Sequence, residues 1–382
     1  MEKEDLQRIV EWRRWLHMHP ETAGQEKETA KFLARELSRM GLQIKENIYG
    51  YGFTAELDGK KPGKCVALRA DMDALPVMEQ TGLAYKSLTD GVMHACGHDV
   101  HMAVLLGTAA ELVKDPPPGK VRFIFQPSEE KPPGGARYLV EAGVLKNPDV
   151  DGVLGLHVSP AYPVGTIALK EGDLMAIADD FTLVIKGKGG HGAVPHLAVD
   201  TVFLTAQVIQ GLQHIISRRV NPVEPALISV GTIHGGTSQN IIPDEVTLTG
   251  TVRSISQRVR EEIITAMHQT LKGITQAWGG DYRLDYLYGY PPVINHPDLT
   301  RLVMDVVKEE PDLKLEIMEK PLMIGEDFSY YGMHAPAAFY FLGCGSVEKN
   351  GTLHHGSFNP EEDCLPLGVR VMTRSVYKFL LG

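Results

Sequence analysis

The stretch Met93-His94-Ala95-Cys96-Gly97-His98-Asp99-Val100-His101 packs three histidines, a cysteine and an aspartate into nine consecutive positions. A thiolate and an imidazole two residues apart suit a borderline-soft divalent metal such as zinc. The stretch runs into an apolar segment, Met102 to Val113, where Ala103, Leu106, Ala110 and Val113 recur on one stripe, as in a buried helix. Cys96 and His98 then sit at the helix's N-terminal edge, where the dipole favours a thiolate. An isolated C-x-H is more often a buried cysteine among surface histidines, so the choice depends on whether further ligands converge.

The elements around this stretch supply them. Leu6, Ile9, Val10 and Leu16 have helical spacing over 5–16, and Phe32, Leu33, Leu37 and Met40 mark a second helix over about 26–40 that stops at Gly41. Three strand-like runs follow, each ending in polar residues. Cys65 to Ala70 leads to Asp71 and Asp73, Lys120 to Gln126 leads to Glu129 and Glu130, and Gly152 to Leu156 leads to His157. A helix is expected between the second and third, over Ala136 to Ala142. Alternating strands and helices predict an α/β domain with a mostly parallel sheet, and in such sheets ligands bind beyond the carboxyl ends of the strands. Each polar residue alone reads as solvated or structural. Carboxylate, thiolate and imidazole together on one rim read as a metal site.

The periodicity then changes. Phe181, Leu183 and Ile185 alternate with polar residues, Val199 to Leu212 recurs at helical spacing, and strands follow over about 226–233 and 245–253. An amphipathic helix over about 256–277 and a strand through Tyr282, Leu284 and Tyr286 complete the order β-α-β-β-α-β, the ferredoxin-like arrangement. A helix through Leu299 and Val306, a strand Ala337 to Leu342 and a helix from about Leu365 resume the first pattern. The expected organisation is a first part of an α/β domain over 1–176, an inserted module over 177–291, and the rest of the α/β domain over 292–382.

Bulk composition narrows the function classes. The chain has 382 residues, 43% of them hydrophobic and 23% charged, the balance of a soluble enzyme of two domains. The formal net charge of −10, with no basic run, argues against a nucleic-acid partner. No stretch approaches the roughly 18 apolar residues of a membrane span, and the charged N-terminus is not a signal peptide. Four dispersed cysteines suggest reduced thiols and a cytoplasmic protein.

Eight blocks, in order, resemble the di-metal amidohydrolases of the aminoacylase/carboxypeptidase superfamily. They are Leu68-Arg69-Ala70-Asp71-Met72-Asp73-Ala74-Leu75-Pro76, Cys96-Gly97-His98-Asp99, Gln126-Pro127-Ser128-Glu129-Glu130, Gly155-Leu156-His157, Gly190 to His196, Ser238 to Pro243, Gly325-Glu326-Asp327-Phe328 and Leu353-His354-His355. The similar branch holds N-acyl-amino-acid amidohydrolases, hippurate hydrolases, hydrolases of auxin conjugates and acetyl-diaminopimelate deacetylases. The resemblance implies a di-metal hydrolase domain interrupted by a ferredoxin-like lid and dimerisation module.

It further implies two divalent ions (Zn, Mn, Co or Ni) per subunit, with Cys96, His98, Glu130, His157 and His354 as ligands and His355 in reserve. Gly356 stands where many relatives have proline. In related branches an aspartate bridges the ions, and here Cys96 takes that position. Two ions about 3.5–4 Å apart lower the pKa of a shared water and polarise a carbonyl. Glu129 resembles the general base that moves the water proton to the departing amine. His191 resembles an oxyanion donor that acts when the module closes. Asn240 and Arg253 are candidates for holding a substrate carboxylate. His101, Asp99 and Asp73 are expected to orient the ligand histidines, whereas His17, His19, His94 and His196 read as structural.

The implied reaction is hydrolysis of the amide bond of a small-molecule N-acyl amino acid by a homodimer or higher homo-oligomer. Three rivals use the same residues. A dipeptidase or carboxypeptidase, or an acetyl-diaminopimelate deacetylase, would keep the machinery and differ in its pocket. A cysteine hydrolase would use Cys96 as nucleophile with His98 or His101 as base. A binding protein would have lost some of the set.

Overall fold

The computed structural model describes residues 2–382. The chain divides into two compact units. One comprises the described residues up to 174, with 293–320 and 327–382; the other comprises 175–292 and 321–326. The short segment 321–326 thus groups with the second unit, a return of the chain that periodicity does not announce.

The first unit is built on an eight-stranded sheet in the order Gln43–Tyr49, Gly52–Asp58, Lys120–Gln126, Cys65–Asp71, Gly152–Ser159, Ala337–Gly343, Thr166–Leu169, Lys314–Ile317. Its four central strands, from Lys120–Gln126 to Ala337–Gly343, are parallel. Antiparallel pairs flank them: the hairpin 43–58 on one side and Thr166–Leu169 on the other. Parallel strands are covered on both faces, which explains why every residue of Cys65–Asp71 is buried. That burial includes Arg69 and Asp71, two charges in an otherwise apolar run.

The expected buried helix is His98–Lys114. Helices Lys3–Met18 and Cys364–Leu381 pack against it, and its apolar residues join a single core with Leu68, Phe123, Leu154 and Leu342. Gly97 precedes it at φ +88°, and a Cβ there would stand 2.4 Å from Val158 Cγ2. Only glycine both adopts that conformation freely and lets the Cys96 turn lie against the His157 strand.

The second unit holds a four-stranded antiparallel sheet in the order Ala226–Gly235, Glu245–Ser254, Ile177–Lys186, Asp281–Tyr290. Helices Thr201–Arg218 and Gln257–Ala277 pack on the face that carries Phe181, Leu183 and Ile185. Asp200 caps the first of them by accepting from the backbone N–H groups of Val202 and Phe203. No helix among the described residues is long and apolar enough to cross a membrane.

Candidate metal centre and active site

The first unit brings Cys96, His98, Glu129, Glu130, His157 and His354 together at the carboxyl ends of its parallel strands. Cys96 Sγ lies 3.3 Å from His157 Nε2 and 3.3 Å from His354 Nε2. His354 Nε2 lies 3.3 Å from Glu130 Oε1, and His98 Nε2 lies 3.9 Å from the same oxygen. Donor atoms of Cys96, His98 and His157 lie within 4.8 Å of one another, as do those of Cys96, Glu130 and His354, and those of His98, Glu129 and Glu130. The first two groups share the Cys96 sulfur. His355 points elsewhere: its Nδ1 is 2.8 Å from the Ser357 hydroxyl.

Hydrogen bonds to main-chain carbonyls set the tautomers of two ring systems. His157 donates through Nδ1 to the Val158 carbonyl (2.7 Å), and His98 donates through Nδ1 to the Asp73 carbonyl (2.8 Å). Both rings therefore aim Nε2, the nitrogen that could ligate a metal, into the cluster. His98 Nε2 is fully buried and has no hydrogen-bond partner. An orphaned imidazole nitrogen beside a thiol and carboxylates is what a metal-binding cluster presents without its cation. The residues fit a divalent metal.

The electrostatics agree. Burial alone would lower the His98 imidazole, yet Asp71, Asp73 and Glu130 lift it to about 10. Burial would raise Glu130, yet His354 and His98 bring it below its ordinary value. The cluster thus carries an excess of negative charge that draws a cation. His157 is held near 4 by burial, so its lone pair stays available. The Cys96 thiol differs from expectation. Burial, with Glu130, Glu129 and Asp71 nearby, pushes it well above its ordinary value. A thiolate at Cys96 therefore requires a cation beside it, and without one the cysteine is a poor nucleophile.

The surrounding acids have separate tasks. Asp73 holds His98 with its carbonyl, and its carboxylate, with Oδ1 3.6 Å from His98 Nδ1, accepts from the backbone N–H groups of Glu129 and Glu130, both at 2.9 Å. His101 donates to Asp71 Oδ1 (2.6 Å) and accepts from the Val158 backbone N–H (2.9 Å), which uses both ring nitrogens. Its ring stands edge-on to His157 at 4.6 Å and braces it. Asp99 corrects the expectation. It orients no candidate ligand but accepts from His17 Nδ1 (2.8 Å) and pairs with Arg13 (2.9 Å), tying the site helix to the first helix. A buried network of Arg69, Gln126 and Asp327 was not foreseen as part of the site. Its signal was Arg69 and Asp71 two residues apart in a buried strand, where unpaired charge is not tolerated.

His191, Asn240 and Arg253 all lie in the second unit. His191 pairs with Ile241 in a two-stranded ladder and is exposed, its Nδ1 accepting from the Ala193 backbone N–H (3.1 Å). Asn240 is adjacent: its carbonyl accepts from the Gly192 N–H (2.8 Å) and its Oδ1 from the Ser238 hydroxyl (2.8 Å). Arg253 is half-buried and directs Nη1 to the carbonyls of Asp179 and Val252, both at 3.0 Å.

The sequence matches peptidase family M20/M25/M40 over residues 67–378. The chain belongs to this family. It is an enzyme that hydrolyses amide bonds, in keeping with the resemblance seen in its motifs. Over 389 residues it is 39% identical to thermostable carboxypeptidase 1 of Saccharolobus solfataricus, covering 99% of this chain and 98% of that one. It is 43% identical over 308 residues to N-acyl-L-amino acid amidohydrolase of Geobacillus stearothermophilus, covering 78% of this chain and 83% of that one. Among solved structures it is similar to the YXEP protein of Bacillus subtilis, a dinuclear metal binding peptidase from the M20 family. The TM-score is 0.86 and the identity 34%, covering 100% of this chain and 99% of that one.

Proposed function

We propose that this M20-family enzyme hydrolyses the amide bond of N-acyl-L-amino acids, with Glu129 as general base and Cys96, His98, Glu130, His157 and His354 as metal ligands. The observation that carries the proposal is the pair of donor groups that share the Cys96 sulfur, with Glu129 within 4.8 Å of His98 and Glu130. When bound, two divalent ions at these residues would polarise the scissile carbonyl and make water acidic enough to deprotonate near neutral pH. The mix of thiolate, imidazole and carboxylate donors suits Zn, Mn, Co or Ni.

The chain's own residues do the rest. Asp73 fixes the backbone of both glutamates, so one carboxylate can ligate while its neighbour projects differently. Glu129, 7% exposed, takes the water proton and passes it to the departing amine. His191 is assigned as donor to the developing oxyanion, and Asn240 and Arg253 as holders of the substrate carboxylate; the family motifs support these roles. The second unit, whose strand order is that of a ferredoxin-like module, is assigned as lid and dimerisation surface. Its exposed Val202, Phe203, Ile233 and Trp278 support the latter. The four cysteines, all free, support a cytoplasmic setting.

A second reading, cleavage of a C-terminal residue from a peptide, is favoured by the near full-length similarity to a carboxypeptidase. A panel of N-acyl amino acids and peptides, assayed for released amine with the Glu129→Gln variant as control, separates the two. Glu129→Gln should lose about 10²- to 10⁴-fold in turnover while keeping its metal. Near-normal turnover removes Glu129 as base, and full activity in verified metal-free protein removes the metal mechanism.

A further inference from the structure

We propose that Asp327 is the positioning residue for the loop that carries Glu129 and Glu130; this rests on the role given to Glu129 above. The Asp327 carboxylate is fully buried. Oδ1 accepts from Arg69 Nη2 (2.9 Å) and Gln126 Nε2 (2.8 Å), and Oδ2 accepts from Gln126 Nε2 (2.7 Å) and the Ala136 backbone N–H (3.0 Å). Gln126 ends the strand before the loop, and Ala136 lies in the first turn of the helix after it. One carboxylate therefore clasps both ends of segment 127–135.

The loop is built around that clasp. Gly134 has φ +79°, and a Cβ on it would stand 2.2 Å from Asp327 Oδ2. The Gly135 N–H donates to the Ser128 carbonyl (3.2 Å), which closes the loop on itself. Three kinds of N–H donor converge on Asp327, from a guanidinium, a side-chain amide and a backbone amide, so only an acceptor-only side chain satisfies them all. Arg69 extends the clasp: Nε donates to Gln126 Oε1 (2.8 Å) and Nη1 to Asp71 Oδ2 (2.7 Å). Asp71 in turn holds His101. The guanidinium thus ties the brace behind His157 to the anchor of the glutamate loop. With Asp73 gripping the middle of the loop, Asp327 gripping its ends determines where the Glu129 carboxylate stands.

The test compares Asp327→Asn, Glu129→Gln and the unmodified enzyme in kcat, KM, bound metal and hydrogen exchange over 126–141 in metal-free protein. Asp327→Asn places an NH₂ against converging donors. It should lower kcat about 10- to 100-fold, leave KM within about twofold and bound metal unchanged, and speed exchange over 126–141 without speeding it elsewhere. If Glu129→Gln is inactive while Asp327→Asn retains kcat and protection, the positioning role is overturned and the role of Glu129 stands. If Glu129→Gln turns over normally, both fall. Should Asp327→Asn fail to fold, Gly134→Ala pushes on the same carboxylate without removing a charge and should show the same losses. Unchanged kcat and protection in Gly134→Ala overturn the proposal.

Discussion

Asp73→Asn separates two functions that one residue performs. Its backbone carbonyl, which holds His98 at 2.8 Å, is untouched by the substitution. Its carboxylate loses one acceptor. In the native protein Oδ1 and Oδ2 each take a backbone N–H, from Glu129 and Glu130, at 2.9 Å and out of contact with water. Asparagine keeps one oxygen and turns an NH₂ toward the other N–H. The loss is one charge-assisted bond, about 1.5–3 kcal/mol, plus the cost of a buried unsatisfied N–H, about 1–3 kcal/mol. A total of roughly 2.5–6 kcal/mol should lower the melting midpoint of a unit of this size by roughly 5–24 °C. Turnover should fall about 10- to 100-fold as the glutamates lose their register. Because His98 keeps its tautomer, metal content at saturating metal should stay at the native level. Thermal unfolding with metal removed, metal analysis and amine release measure the three quantities. A midpoint within about 2 °C of the native value together with native turnover would refute the assignment of the carboxylate to the glutamate pair.

Two further expectations follow from single contacts. Glu26 is fully buried, and its Oε1 accepts from the Ser128 N–H (2.8 Å) and the Gly24 N–H (3.0 Å); burial raises it to about 7 from an ordinary value near 4.5. The folded state therefore binds the proton more tightly than the unfolded one. Stability is fullest below about 4.5 and declines as pH rises to about 7, by on the order of 3 kcal/mol. Glu26→Gln should then raise the melting midpoint at pH 8 and change it little at pH 4.5; an equal shift at both pH values would sink the argument. His354→Ala should cost about one bound ion per chain, since His354, unlike His355, approaches both Cys96 and Glu130, whereas His355→Ala should keep the native metal content. The reverse pattern would move the ligand to His355.

Much of the first unit was legible because buried parallel strands and amphipathic helices write their period into the chain. Cys65–Asp71, Lys120–Gln126, Gly152–Ser159 and His98–Lys114 each announce themselves as apolar runs. Each site-bearing strand ends in a polar residue, so the rim they form could be inferred without coordinates. The hairpin 43–58 escaped because its first strand is largely exposed and polar and carries no such period. The segment 321–326 escaped because no local rule says which of two units a short irregular stretch will join.

By itself, then, the sequence determined the donor chemistry: a cysteine, histidines and paired glutamates in blocks whose types and order admit few reactions. Tertiary structure decided which atoms use it. His354 and His355 are chemically identical neighbours, and only the chain's path, with φ +62° at His354, turns one toward Cys96 and the other toward Ser357. Asp73 and Asp99 both flank the site in sequence, but one faces the glutamate backbone and the other faces Arg13 and His17. Asp327, 258 residues from Arg69, becomes its partner only when the strands are laid side by side. Residue type is a local property, while the direction of a side chain and the partner it finds depend on long-range packing.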